Sequence, residues 1–377
     1  MNNIFSSRTT LLFSFVLGFP LITIAACSSD GKPSNTTADA APDSDAPADS
    51  GTSGNALPRF GVNLAGAEFG EDNMPGVFNV HYTYPTNDEL DYYKSKGIGL
   101  IRLPFRWERL QRTLGGPLNG PEISRLRGVV SAAAERDVLV LFDLHNSARY
   151  VLANKEVLIG MPGVTNENIV DFWTKLADEF KQETNIWGYG IMNEPYDMAD
   201  NQQWFGIAQA IITGIRTVDN STPIVVGGDS YSSAERWLEA SDNLKNLHDP
   251  ADNLIFEAHV YFDQDASGRY QKSYDDEGAS PTSGVDRVRP FIEWLKTNNF
   301  KGYIGEYGIP ADDARWLITL DNFLTYISDN CVNGTYWAGG PWWGEYILTI
   351  EPKPDGADRV QMSVVQNHLN VNSSCAP

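Results

Sequence analysis

Along the chain, short apolar runs that end in polar residues alternate with stretches whose apolar residues recur every three or four positions. Eight strand candidates stand at 59–66, 99–107, 138–146, 186–194, 223–230, 254–261, 301–308 and 334–340. Between them, Ile169, Phe172, Leu176 and Phe180 share one helical face. So do Val285, Val288, Ile292 and Leu295, and again Leu317, Leu320, Leu324 and Ile327. A last helix is expected near 359–370. Alternating βα units require right-handed crossovers and a parallel sheet. Eight of them predict an α/β protein of the (β/α)8 TIM barrel type, a single domain over 57–377. An open doubly wound sheet is the competing arrangement, but no glycine-rich phosphate loop follows the first strand.

The fourth strand candidate delivers Asn193-Glu194-Pro195, and the seventh delivers Gly305-Glu306-Tyr307-Gly308. Active sites of such barrels lie at the C-terminal ends of the strands. Strands four and seven are three units apart in a ring of eight, so Glu194 and Glu306 are expected to face each other across the mouth. A lone glutamate before a proline is commonly a solvated turn residue; two at facing strand ends are the apparatus of a glycosidase. A gap of about 5–5.5 Å between the carboxyls means a covalent intermediate and retention, and about 6.5–9.5 Å means inversion through water. One carboxyl must hold a proton while the other stays ionised. Arg102, His145, His259 and Tyr261, all at strand ends, are the candidates for setting that difference.

Composition narrows the partners. The 377 residues carry 28 Lys and Arg against 49 Asp and Glu, a formal charge of −21. So acidic a chain is not drawn to nucleic-acid phosphates. Ten Trp, sixteen Tyr and seventeen Phe supply a core, and also the flat faces on which pyranose rings stack. Trp107, Trp173, Trp187, Trp204, Trp237, Trp294 and Trp316 lie within elements and are assigned to the core, while Trp342 and Trp343 are either sugar platforms or a packed rim. No CxxC or HExxH spacing is present, and no cofactor or metal is expected. Asp263, Asp265 and Asp275-Asp276-Glu277 form an acidic stretch without EF-hand spacing, read as a solvated loop rather than a calcium site.

Taken together, Ile-Arg-Leu-Pro, Asp-Leu-His-Asn, Asn-Glu-Pro, His-Val-Tyr, Gly-Glu-Tyr-Gly and a late Trp, in that order, resemble glycoside hydrolase family 5, a family of retaining (β/α)8 glycosidases. The likeness runs from about Arg59 to Asn370. It implies Glu194 as acid/base and Glu306 as nucleophile, with Asn193 on the sugar 2-hydroxyl. It further implies that Arg102 and Tyr261 orient the nucleophile, that His145 and His259 line the site, and that Trp337 is the platform beside the scissile bond. Gly61–Phe69, His145–Tyr150 and Gly340–Gly344 look most like the endo-β-1,4-glucanases (cellulases). A β-glucan is therefore the implied partner, with β-mannan, xylan or mixed-linkage glucan as alternatives. A non-catalytic polysaccharide binder and a transglycosylase are the competing functions. Where relatives often have a Trp after strand five, this chain reads Gly228-Asp229-Ser230-Tyr231.

The N-terminus looks like export machinery. Arg8 precedes a mostly apolar run from Leu11 to Ile24, interrupted by Gly18 and Pro20 and too short for a stable membrane span. It ends Ile24-Ala25-Ala26-Cys27, which resembles the lipobox of bacterial lipoproteins and implies acylation of Cys27. Residues 28–56, rich in Ser, Asp, Ala and Pro and free of aromatics, are expected to be a disordered tether. The expectation is an exported monomer, either secreted or held at the outer membrane or cell surface by its lipid alone. Cys331 and Cys375 remain as a possible disulfide in an oxidising compartment.

Overall fold

The computed structural model describes residues 60–369 and 375. The leader, the tether and Cys27 lie outside the described residues. Ten strands follow in order: β1 (Phe60–Leu64), β2 (Leu100–Phe105), β3 (Leu139–Leu144), β4 (Arg149–Leu152), β5 (Lys155–Leu158), β6 (Ile186–Gly190), β7 (Ile224–Gly227), β8 (Leu254–His259), β9 (Lys301–Tyr307) and β10 (Asn333–Gly339). Eight close into a parallel barrel in the order β1-β10-β9-β8-β7-β6-β3-β2, with β1 pairing β10 to complete the ring. These are the eight predicted strands. The pair β4 and β5, an antiparallel hairpin over the mouth after β3, was not predicted.

The helical faces fall where the periodicity puts them. Ile169, Phe172, Leu176 and Phe180 are buried in the helix Asn166–Phe180, which begins where Thr165 N donates to Asn168 Oδ1 at 2.9 Å. Helices Ser283–Asn298 and Ala314–Asp329 bury their predicted stripes, with Val285 and Leu317 half-buried at the margins. The closing helix spans Val360–Asn367. All seven tryptophans assigned to the core are at most 5% exposed. Among the described residues no helix is long and apolar enough to cross a membrane.

Strand alternation divides the buried residues in two. Ile101, Val140, Phe142, Phe256, Ala258 and Ile304 point outward to the helices, as Phe142 on Phe180 and Phe256 on Trp294 illustrate. Leu100, Leu141, Trp187, Val225, Ile255 and Tyr303 form a separate inner cluster. Two residues further along the same faces come Arg102, Asp143 and Glu257, all buried. The barrel thus has an apolar floor with a charged layer resting on it, immediately beneath the mouth. Cys331, just before β10, is bonded to Cys375, with S–S 2.06 Å and Cα–Cα 5.4 Å.

Candidate active site

β6 ends at Gly190, earlier than the predicted strand, and Ile191 and Met192 carry the buried chain on to the mouth. There the Asn193 N–H donates to the Leu144 carbonyl at 2.8 Å. Glu194 then adopts φ +44°, a left-handed conformation that glutamate rarely takes. That turn swings its side chain over the barrel axis. Glu306 needs no such turn, since it sits within β9, in register with His259 of β8. One carboxylate oxygen of Glu194, one of Glu306 and a ring nitrogen of His259 lie within 4.8 Å of one another. The two predicted glutamates are therefore a pair, at the short spacing.

Their surroundings differ. The Glu194 side chain is a quarter exposed and opens onto a cavity of about 610 Å³, whereas that of Glu306 is 6% exposed. Glu306 accepts from the Tyr261 hydroxyl at 2.8 Å and from Arg102 Nη1 at 3.2 Å. Burial pushes its carboxyl above the usual range and the nearby Glu194 charge adds to this, while His259, Arg102 and His145 pull it back. His259 presents Nδ1 to Glu194 Oε1 at 2.7 Å and Nε2 to Glu257 Oε1 at 3.0 Å. Burial opposes its charge, but Glu306 and those two hydrogen bonds outweigh burial and hold the imidazole at about 10. His259 is thus an imidazolium, a fixed cation between the carboxylates. A metal ion on Glu194, His259 and Glu306 would have to break the 2.7 Å bond that already joins two of its ligands.

Arg102, fully buried, organises the layer below. It reaches Asp143 at 3.0 Å, Glu257 at 2.8 Å, Glu306 at 3.2 Å, Asn63 Oδ1 at 2.9 Å and Asn193 Oδ1 at 2.7 Å. A guanidinium only donates, so Asn193 must turn its oxygen to Arg102. Its Nδ2 then faces His145 Nε2 at 3.3 Å, and His145 Nδ1 meets Asp143 Oδ2 at 2.8 Å. Asp143, Glu306 and Glu68 draw His145 upward against burial. Protonation, however, would set its Nε2–H against the Asn193 N–H, so the ring geometry favours the neutral imidazole with its proton on Nδ1. The closed circuit Arg102–Asn193–His145–Asp143 fixes the Asn193 amide directly beside Glu194.

Trp337 lies half-buried at the end of β10, stacked on His145 with ring centroids 5.5 Å apart. Trp343 packs behind it: edge-on to Trp337, stacked on Tyr346 at 4.4 Å, and donating to the Gly339 carbonyl at 2.9 Å. Of its two readings, Trp343 fits the packed rim, and Trp342 is the exposed member of the pair at 42%. On the Glu194 side, Tyr231 is half exposed, lines the 610 Å³ cavity and stacks on Tyr196 at 4.5 Å. The Arg149 guanidinium, from the hairpin, covers the far face of the pair at 3.7 Å from the Tyr196 ring.

A mouth with paired carboxyls, a fixed imidazolium and an aromatic floor matches what comparison with known proteins finds. The cellulase model (glycosyl hydrolase family 5) covers residues 62–342. The chain belongs to glycosyl hydrolase family 5. This family 5 enzyme is a glycoside hydrolase of the cellulase type. It is 35% identical to endo-β-1,4-glucanase B of Aspergillus niger over 301 residues, 79% of this chain and 86% of that one. Among solved structures, the endoglucanase Cel5A of Pseudomonas stutzeri, in complex with cellobiose, is 44% identical, with a TM-score of 0.79 over 83% of this chain and 92% of that one. An endo-β-1,4-glucanase of Xanthomonas axonopodis pv. citri is 34% identical, with a TM-score of 0.77 over 83% and 98%.

Several residues of the family 5 site were not singled out in the sequence. Asp143 and Glu257, the counter-ions of Arg102 and of the two histidines, each precede a predicted histidine by two positions. The inward period of a strand was the signal for both. Glu68 lies in the electrostatic reach of His145, takes the Gly66 N–H at 2.7 Å and leaves Oε1 without a partner among the described residues. Burial pushes it up to about 7. In the acidic stretch after β8, Asp265, Asp275 and Asp276 are exposed as expected, but Asp263 and Glu277 are not. Asp263, 1% exposed, accepts the N–H groups of Gly268, Arg269 and Tyr270, and Glu277 accepts those of Gln264 and Lys272. These carboxylates tie the loop internally, because its turns leave backbone donors that would otherwise be buried unpaired.

Proposed function

We propose that the protein is a retaining endo-β-1,4-glucanase, and the observation that carries this is the 4.8 Å limit on the Glu194–Glu306 oxygens. That spacing is on the short side of the two glycosidase geometries, the one in which the second carboxyl attacks carbon directly. Glu306, ionised and aimed by Tyr261 and Arg102, forms a bond to the anomeric carbon as the glycosidic C–O bond breaks. Glu194 gives its proton to the departing oxygen. Glu194 then takes a proton from water, whose oxygen displaces Glu306 at the same carbon, so two inversions give retention. Asn193, locked by Arg102 and His145, is placed to bond the 2-hydroxyl, and Trp337 to underlie the sugar. A pure polysaccharide binder has no use for an acid opposite a nucleophile.

The relatives' names supply the substrate: endo-β-1,4-glucanases, one of which, XacCel5A, is solved with cellopentaose. Purified residues 55–377 should release reducing ends from carboxymethylcellulose in preference to β-mannan and xylan. Preference for mannan or xylan would keep the chemistry and replace the substrate; release from none of them would defeat the hydrolase reading. Oligosaccharide lengthening without net release would instead identify a transglycosylase.

Tyr261→Phe removes a donor that favours the ionised nucleophile. The Glu306 pKa, already raised, should rise further, and the acid limb of the kcat/KM profile should move to higher pH. An acid limb unmoved, or shifted downward, would show that the hydroxyl does not hold the charge.

We also propose export, on the strength of the leader, with a lipid on Cys27 and a tether over 28–56 joining the anchor to the domain. Cys27→Ala expressed in a lipoprotein-processing bacterium should shift the enzyme from the membrane to the soluble fraction. Equal membrane association of both forms would refute the anchor.

A further inference from the structure

Glu257 takes no part in the two displacements, yet it meets both cations beneath the mouth. It lies buried on the inward face of β8, two residues before His259. Its Oε1 stands 2.8 Å from Arg102 Nη2 and 3.0 Å from His259 Nε2. A guanidinium only donates, so that oxygen accepts from both, and Nε2 carries a hydrogen. Gly305, next to the nucleophile, leaves room for this contact: a Cβ there would overlap Glu257 Oε1 and stand 2.8 Å from His259 Nε2. The other ring nitrogen, Nδ1, faces Glu194 Oε1 at 2.7 Å. Two arrangements fit that distance. An imidazolium donates its Nδ1–H to Oε1, and the acid proton of Glu194 must then sit on Oε2, free to go to the leaving group. A neutral ring with its hydrogen on Nε2 instead offers Nδ1 as an acceptor, and Oε1 would hold the proton against His259, away from any substrate oxygen.

We propose that Glu257 is a positioning residue for the acid step: acting through His259, it keeps the reacting proton on Glu194 Oε2. This rests on the reading of Glu194 as the acid. Three carboxyls face the ring: Glu194, Glu257 and Glu306, whose Oε2 is 3.7 Å from Nδ1, with Asp143 in electrostatic reach. As the glycosyl-enzyme forms, Glu194 gives up a proton while Glu306 becomes an ester. The charge of those two moves across the ring, and Glu257 is the carboxylate that keeps its own throughout. Without that charge, burial and the Arg102 guanidinium that shares its oxygen would both oppose an imidazolium.

Glu257→Gln keeps the size of the side chain and removes its charge. The readout is kcat/KM on cellotetraose, whose leaving group needs a proton, divided by kcat/KM on dinitrophenyl cellobioside, whose leaving group does not. General acid catalysis contributes about 10²–10⁴-fold, and in the variant this ratio should fall by about 10²-fold. Any weakening of Arg102 and Glu306 lowers both rates together and leaves the ratio alone. A ratio within a few-fold of the parent's overturns the proposal. If Glu257→Gln melts below the assay temperature, Glu257→Asp, which keeps a charge for Arg102 but falls short of Nε2, decides by the same ratio. Failure of the catalytic reading would look different: Glu194→Ala itself would leave the ratio unchanged.

Discussion

Glu306→Ala should reduce reducing-end release by at least about 10⁴-fold while leaving oligosaccharide affinity within a few-fold of the parent. The carboxylate lies in β9 and is held by Tyr261 and Arg102, with no part in closing the barrel, so the fold should tolerate its loss. Without it no glycosyl-enzyme can form, so the two-step route is closed. Azide, small enough to enter the vacated space, should restore turnover of an activated aryl cellobioside, giving the opposite anomer. Glu194→Ala should differ in kind. Its loss should fall on substrates with poor leaving groups, while aryl glycosides still form the intermediate and accumulate it. Near-parental hydrolysis of carboxymethylcellulose by Glu306→Ala would remove the mechanism proposed here, and equal behaviour of the two variants on aryl glycosides would remove the division of roles.

Arg102→Leu carries the largest expected cost in stability. Breaking a buried ion pair by deleting one partner costs about 3–5 kcal/mol, and here one cation faces Asp143, Glu257 and Glu306 at once. Set against a total stability of roughly 5–15 kcal/mol, that removes from about a fifth to all of it. The pH dependence gives the cause away. With the guanidinium gone, Glu306 loses one of the cations that pull its carboxyl down against burial, so its folded-state pKa, already above the usual value, rises further. Groups shifted that way stabilise the fold below the unfolded pKa and lose that contribution as pH rises through the folded one. The variant's deficit relative to the parent, read from urea midpoints, should therefore shrink on acidification. A deficit independent of pH would mean that lost packing, not unpaired charge, is responsible.

The barrel was legible because each strand candidate is a buried apolar run with a polar end, and each helix keeps one stripe. The two glutamates followed from chain order alone, since strands four and seven must face each other. What escaped depends on which way a side chain points. Asp143 and Glu257 look like ordinary charges in linear text; only their two-residue offset from His145 and His259 places them inside the barrel. The hairpin β4–β5 was missed because its strands are four residues long and its turn is Ala153-Asn154, both at positive φ, without the Asn-Gly signal such a turn usually shows. Asp263 and Glu277 misled for the reverse reason: a run of acids says solvent, but loop backbone donors claimed these two.

The ring of strands is sealed by the pairing of β1 with β10, the first and last segments made. Glu194, Arg102, Asn193 and His145 come from the earlier part of the chain, and Glu306, His259, Tyr261 and Trp337 from the later part. Neither part holds an acid and a nucleophile together, so a nascent chain gains no hydrolytic power until β10 emerges and meets β1. Closure over so long a sequence separation is intrinsically slow. The hydrolase therefore comes into being last of all, when the final strand finds the first.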